Sequence, residues 1–171
     1  MSQNFKTRLK DISTFIFDID GVMTDGKVYF FHDGMPIRNL NNKDGYAIQL
    51  AVKKGYRLVI MSGGSSQIIQ DALYRLGFTH VFLKQHDKLS CYKDYIAEHS
   101  LEEKNILYMG DDLPDYEVMQ RVGVAACPND AATEIKELSI YVSDKKGGEG
   151  CVRDIIEQVM RVRGDWEIGH W

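Results

Sequence analysis

The sequence predicts a single α/β domain built on a mostly parallel sheet with helices on both faces. Three observations carry that expectation. Short apolar runs of strand length alternate with amphipathic runs of helix length, the pattern of βαβ units. Two of the apolar runs, Phe15-Ile16-Phe17 and Ile106-Leu107-Tyr108-Met109, lead straight into acids: Asp18 and Asp20 after the first, Asp111, Asp112 and Asp115 after the second. Carboxylates at the end of a buried strand need a cation or hydrogen-bond donors, and open α/β sheets bind ligands at that carboxyl edge.

In chain order, residues 13–18 read as a buried strand, being short, apolar and flanked by polar residues. Residues 27–40 read as a β-hairpin inserted after it, with Asp33-Gly34 as the turn and Pro36 marking an edge strand. Tyr29, Phe30 and Phe31 in succession put aromatic surface on both hairpin faces, so something must cover it, whether its own domain or a second subunit. A helix over 44–54 follows, with Asp44 as N-cap and Gly55 just past its end. The strand over 56–61 ends at Ser62-Gly63-Gly64, and a helix over 65–76 buries Ile68, Ile69, Ala72, Leu73 and Leu76. The remaining elements are strands over 81–83, 106–109, 124–127 and 140–142, and helices over 89–99, 115–121, 131–138 and 151–162. Asp115 would cap the helix it opens, and Asp25 would turn the chain into the hairpin. The tail 164–171 holds both tryptophans, Trp166 and Trp171, and docking onto a partner subunit would keep them out of water.

Composition narrows the function classes. A chain of 171 residues, 44% hydrophobic and 27% charged, suits one domain, and no repeat, low-complexity segment or linker divides 1–171. The net charge of −4, without a basic run, argues against general nucleic-acid binding. No apolar segment approaches the about 20 residues of a membrane span, and residues 1–10 lack the apolar stretch of a secretion signal, so a cytoplasmic address is expected. Cys91, Cys127 and Cys151 lie far apart and read as reduced thiols. The five histidines include no pair at i, i+4 spacing, so neither a thiolate nor a histidine metal site is expected.

The strand ends together supply Asp18 and Asp20, then Ser62 with the free amide of Gly63, then Lys88, then Asp111, Asp112 and Asp115. This set suits metal-assisted phosphoryl transfer. A carboxylate nucleophile can be held near Mg²⁺, which takes hard oxygen ligands. A hydroxyl, amides and an ammonium can hold phosphoryl oxygens as charge redistributes. Taken singly, each residue has a plainer explanation: Asp-x-Asp-Gly makes ordinary turns, Ser62 sits near a helix start, and lysines such as Lys88, Lys145 and Lys146 are usually solvated.

Asp18-Ile19-Asp20-Gly21-Val22, Ser62-Gly63, Lys88 and Gly110-Asp111-Asp112-Leu113-Pro114-Asp115 resemble the four ordered motifs of the haloacid dehalogenase superfamily. With the hairpin, Lys43-Asp44-Gly45 and Gly147-Gly148-Glu149-Gly150, the chain is similar to the capless 3-deoxy-D-manno-octulosonate 8-phosphate phosphatases over roughly residues 9–160. The resemblance implies a Rossmann-like, doubly wound sheet with an inserted hairpin and no cap domain. It implies that Asp18 attacks phosphorus to form an aspartyl-phosphate and that Asp20 serves as acid and then base. Mg²⁺ would be held by Asp18, the Asp20 main-chain carbonyl and Asp111, with Asp112 as a further candidate. Ser62, Gly63 and Lys88 would bind the phosphoryl group, Asp44, Gly45 and Gly148 would border the substrate, and Asp115 would orient Lys88 or a water. It further implies a homotetramer built through the hairpin and a place in lipopolysaccharide precursor synthesis. At one position the sequence departs from the narrower family: Gly64 stands where an arginine is usual. Arginine would suit a carboxylate or phosphate bidentately, so a nine-carbon acid-sugar 9-phosphate is an alternative substrate. Two other classes fit parts of the set, a receiver-type phosphoacceptor signalling domain and an idle assembly subunit. Lys88 preceding the last acids, and Asp20 beside the acceptor, speak against the first; the intact set speaks against the second.

Overall fold

The protein, described by a computed structural model over residues 5–30, 32, 34 and 36–167, is organised around β1 (Thr14–Phe17). The other elements are α1 (Phe5–Leu9), β2 (Tyr29–Phe30), β3 (Pro36–Ile37), α2 (Asn42–Lys53), β4 (Arg57–Met61), α3 (Gln67–Leu76), β5 (His80–Phe82) and α4 (Lys88–Glu98). They are followed by β6 (Ile106–Met109), α5 (Tyr116–Met119), β7 (Val124–Cys127), α6 (Thr133–Leu138), β8 (Tyr141–Val142) and α7 (Cys151–Arg163). A six-stranded sheet runs in the order β5-β4-β1-β6-β7-β8, and every pair in it is parallel.

The sheet separates two cores, because alternate side chains of a strand face opposite ways. Phe15, Phe17, Leu58, Ile60, Leu107 and Met109 face α2, α3 and α7. Ile16, Val59, Met61, Tyr108 and Ala125 face α4, α5 and α6. Register then places the chemistry: Phe17 pairs with Ile60 on one side and Met109 on the other. Asp18, Ser62 and Asp111 therefore all leave the sheet at one edge.

Element boundaries shift where capping chemistry competes. Asp44 is not the cap of α2; Asn41 is, its side chain accepting the Lys43 N–H. Asp44 instead lies fully buried one turn in, and its Oδ1 accepts the Arg153 N–H at 2.7 Å. The first turn of α7 follows Gly150, which has no capping side chain, so a carboxylate from another helix satisfies it. Helix α4 starts one residue early, at Lys88, under an Asp87 cap. Asp115 makes no capping bond to α5. Helix α1 was not expected; its Leu9 is buried against the core and Phe5 stacks on Tyr141 at 4.8 Å.

The hairpin strands are only two residues each, and their own domain does not cover them: Tyr29 is 57% and Phe30 73% exposed. Phe31 and the Asp33 half of the turn lie outside the described residues. In the tail, Trp166 packs half-buried on its own chain, edge-on to Tyr46 at 6.2 Å and under Arg153 and Arg161. Trp171 lies outside the described residues.

Candidate active site

The loop after β1 is an irregular turn, Ile19–Met23, broken at Asp20 and at Gly21, whose φ of 88° suits glycine. It is propped from behind by the glycine loop before α7. A Cβ on Gly147 would lie 2.0 Å from the Gly21 carbonyl oxygen, and the Gly148 N–H donates to the Val22 carbonyl at 3.0 Å. The Thr24 hydroxyl, within the turn, donates to Asp20 Oδ1 at 3.4 Å.

In front of this loop lies a cavity of about 400 Å³, lined among others by Asp18, Asp20, Ser62, Gly63, Lys88, Asp111, Asp112 and Asp115. Asp18 is buried and accepts its neighbour's amide, Ile19 N–H, at 2.7 Å. Lys88 Nζ bridges Asp18 Oδ2 at 3.0 Å and Asp115 Oδ1 at 2.7 Å. Asp115 also accepts the Tyr108 hydroxyl at 2.6 Å and the Asp111 N–H at 3.2 Å. Every oxygen of Asp115 is thus engaged, which suits orienting Lys88 more than binding an ion. Ser62 is buried, and its Oγ accepts the Gly64 N–H at 3.2 Å, which leaves the hydroxyl proton free to donate.

Electrostatically the cluster is short of positive charge. Burial, then the Asp115 charge, push Asp18 up to about 6, against the pull of Lys88. Burial, then Asp18 and Asp115, push Asp111 up to about 8. Burial opposes charge on Lys88, but Asp18 and Asp115 outweigh it and hold the ammonium above the ordinary lysine value. Ligand atoms of Asp18, Asp111 and Asp115 lie within 4.8 Å of one another. Like charges at that spacing repel by about 3 kcal/mol per pair at an effective dielectric of about 20. Asp111 Oδ1 is buried with no hydrogen-bond partner. An all-oxygen donor set with an orphaned carboxylate oxygen fits a hard divalent cation, with Asp111 Oδ1 as the open ligand atom and the Asp18 carboxylate, paired with Lys88 through Oδ2, within reach of it. Asp112 is exposed and spends Oδ1 on the Leu113 N–H at 2.8 Å.

Three expected substrate contacts fall elsewhere. Asp44 is the buried partner of α7. Gly45 lines a separate cavity with Leu40, Tyr46 and Arg75. Gly148 turns its backbone to the loop after β1, and its carbonyl accepts Asn41 Nδ2 at 2.9 Å. Their glycine-rich motifs signal tight backbone approach, which here holds loops together. One residue was missed. Arg38, just past β3, reaches across to Asp20, with Nε at 2.6 Å from Oδ1 and Nη2 at 3.1 Å from Oδ2. Its signal was the arginine absent at position 64: a Cβ on Gly64 would stand 3.3 Å from Asp20 Oδ2 and 3.8 Å from Arg38 Nη2.

Comparison with known proteins bears on this geometry. A family model for haloacid dehalogenase-like hydrolases matches residues 74–155. The chain is 30% identical over 164 residues to the 3-deoxy-D-manno-octulosonate 8-phosphate phosphatase KdsC of Salmonella typhi, covering 96% of this chain and 87% of that one. Its identity to the Yersinia pestis protein of the same name is 33% over 153 residues, covering 90% and 82%. Among solved structures, a probable YrbI family phosphatase from Pseudomonas syringae superposes with a TM-score of 0.91 at 35% identity, covering 94% and 91%. The 3-deoxy-D-manno-octulosonate 8-phosphate phosphatase from Moraxella catarrhalis, in complex with magnesium ion, phosphate ion and KDO, superposes with a TM-score of 0.91 at 27% identity, covering 94% and 92%.

Proposed function

The chain belongs to the 3-deoxy-D-manno-octulosonate 8-phosphate phosphatase family of haloacid dehalogenase-like hydrolases, and on that premise we propose that it hydrolyses this sugar-acid phosphate through an aspartyl-phosphate. It is a phosphoric monoester hydrolase with Mg²⁺ as its cofactor. The observation that carries the reading is the Asp18–Lys88–Asp115 bridge, set in one cavity with Ser62, Asp20 and Asp111.

Asp18 and Asp111 hold the ion, with the Asp20 carbonyl and Asp112 as further ligands. Bound there, Mg²⁺ would offset the carboxylate charge and polarise the phosphoryl group as a Lewis acid. The Ser62 hydroxyl, the Gly63 amide and Lys88 grip the other phosphoryl oxygens. An Asp18 carboxylate oxygen attacks phosphorus, and the bond to the sugar oxygen breaks as Asp20 gives that oxygen a proton. Asp20 then takes a proton from water, which attacks the phosphoryl group, breaks its bond to Asp18 and releases inorganic phosphate. Asp20 lining the same cavity as Asp18 disfavours the signalling alternative, because a water-activating base shortens the life of a phosphoaspartate. The free sugar acid would feed lipopolysaccharide precursor synthesis in the cytoplasm, by a single-domain subunit of a homotetramer joined through the exposed hairpin. Among the described residues no helix is long and apolar enough to cross a membrane.

The test is phosphate release, with and without Mg²⁺, from the eight-carbon and nine-carbon 3-deoxy-ulosonate phosphates. Mg²⁺-dependent turnover of the eight-carbon ester is expected to dominate. Preference for the nine-carbon ester would transfer the assignment to the substrate that Gly64 leaves open, and release from neither would sink both.

Mg²⁺ binding should also release protons. Asp111, pushed up to about 8, is mostly protonated at pH 7 in the metal-free protein, and only its ionised form is a good ligand. Affinity should therefore rise with pH until about pH 8. The folded state holds these protons more tightly than the unfolded chain, so metal-free stability falls as pH rises from about 4 through about 8. Calorimetry in buffers of different ionisation heat measures the protons; none released at pH 7 would contradict the site.

A further inference from the structure

Arg38 is the residue that neither the motif set nor the reaction scheme uses, yet it makes a two-point contact in the cavity's surroundings. Nε and Nη2 each meet a different oxygen of Asp20. A planar fork of that kind fixes the plane of a carboxylate as well as its position. The guanidinium side chain is only 11% exposed, whereas that of Asp20 is 33% exposed. Its Nη1 is buried with no hydrogen-bond partner, a desolvation cost that a solvent-facing rotamer would avoid. Among the described residues, the only other side-chain hydrogen bond to the Asp20 carboxylate is the long 3.4 Å bond from Thr24. Without Arg38, a carboxylate on an irregular, partly exposed turn would be free to swing.

Gly64 completes the arrangement. Its hypothetical Cβ would point into the space between Asp20 Oδ2 and Arg38 Nη2, so a long side chain at position 64 would compete with the guanidinium for the same volume. The positive charge beside Asp20 arrives from the hairpin, and the loop after β4 is left bare to admit it.

We infer that Arg38 is a positioning residue that holds the Asp20 carboxylate in line with the leaving-group oxygen and, in the second half of the cycle, with the attacking water. The inference rests on the acid–base role of Asp20 proposed above. It makes the hairpin a working part of the catalytic centre.

The consequence is sharpest where the leaving group needs a proton. A nitrophenolate departs unaided, whereas an alkoxide such as a sugar oxygen does not. A series of aryl and alkyl phosphates of increasing leaving-group basicity, assayed with Mg²⁺ by first-turnover release, separates the two. For Arg38→Met, which keeps much of the side-chain volume, first-turnover rates should stay within about three-fold for nitrophenyl phosphate and fall about 10²-fold for alkyl phosphates, within the range of general acid catalysis. Arg38→Lys, with the charge but not the fork, should recover part of the loss. Adding Arg38→Met to Asp20→Asn should cost little more than Asp20→Asn alone, since both act through one carboxylate.

Equal losses across all leaving groups would make Arg38 merely structural and overturn the inference. A raised KM with kcat unchanged would overturn it in favour of substrate binding, and additive losses in the double variant would overturn it as well. The series needs no sugar acid. Turnover of aryl phosphates without turnover of either ulosonate phosphate would defeat the proposed substrate while leaving the test of Arg38 intact.

Discussion

Asp18→Asn should remove phosphatase activity by about 10⁴-fold or more, the scale seen when a covalent nucleophile is lost, while leaving the fold in place. The amide keeps the shape of the side chain and its oxygen can still accept the Ile19 N–H, but it cannot attack phosphorus. The variant should also be the more stable protein when metal-free at pH 8. It removes one of three carboxylates whose oxygens lie within 4.8 Å, and Lys88 keeps Asp115 as its partner at 2.7 Å. Phosphate release and thermal melts with and without Mg²⁺ check both halves. Activity within ten-fold of the parent would remove Asp18 from the chemistry, and a lower metal-free melting temperature would contradict the charge argument.

Replacing Lys88 should do the opposite to stability. Lys88 is 4% exposed and is the ammonium that bridges Asp18 and Asp115. Lys88→Met fills much of the same space and removes the charge, leaving two buried carboxylates without their cation. Breaking a buried pair in this way costs about 3–5 kcal/mol, and turnover should be lost with it. The cost depends on ionisation. At pH 5 the orphaned carboxylates can take up protons, and at pH 8 they must be paid for in full, so the deficit should be larger at pH 8. Saturating Mg²⁺ should recover part of it through Asp18. Urea unfolding at the two pH values, with and without Mg²⁺, measures the difference. A deficit that is the same at both would mean that packing, not charge, explains Lys88.

Much of the sheet was legible because its strands are apolar throughout, as strands buried on both faces must be, and the run Val124–Cys127 was read to the residue. The helices were legible through their apolar stripes, although Ile68, expected on the buried face of α3, is 65% exposed, and their starts were off by one or two residues where several polar residues could serve as cap, as at Asn41 and Asp44. What escaped was interaction across sequence. Asp44 reads as a local cap until α7, 109 residues away, supplies an amide in need of one. Arg38 is an unremarked cation in a short hairpin until the turn after β1 brings Asp20 against it, 18 residues back along the chain. The acids at the ends of β1 and β6 could be paired in advance because parallel register leaves little freedom at a sheet edge. No comparable rule governs a side chain reaching out of a loop.

The glycine loop behind Asp20 has a consequence for how the protein is made. The turn that carries Asp20 is shaped by contacts from Gly147 and Gly148, and the Cys151 thiol donates to the Val22 carbonyl at 3.3 Å. The ribosome delivers Asp18 and Asp20 first, and the surface against which their loop sets emerges more than 120 residues later. A nascent chain can therefore build β1 and β4 long before it owns a working centre. Competence waits for that glycine loop, and a growing chain stalled before Gly147 carries its acids on a turn that still lacks its backing.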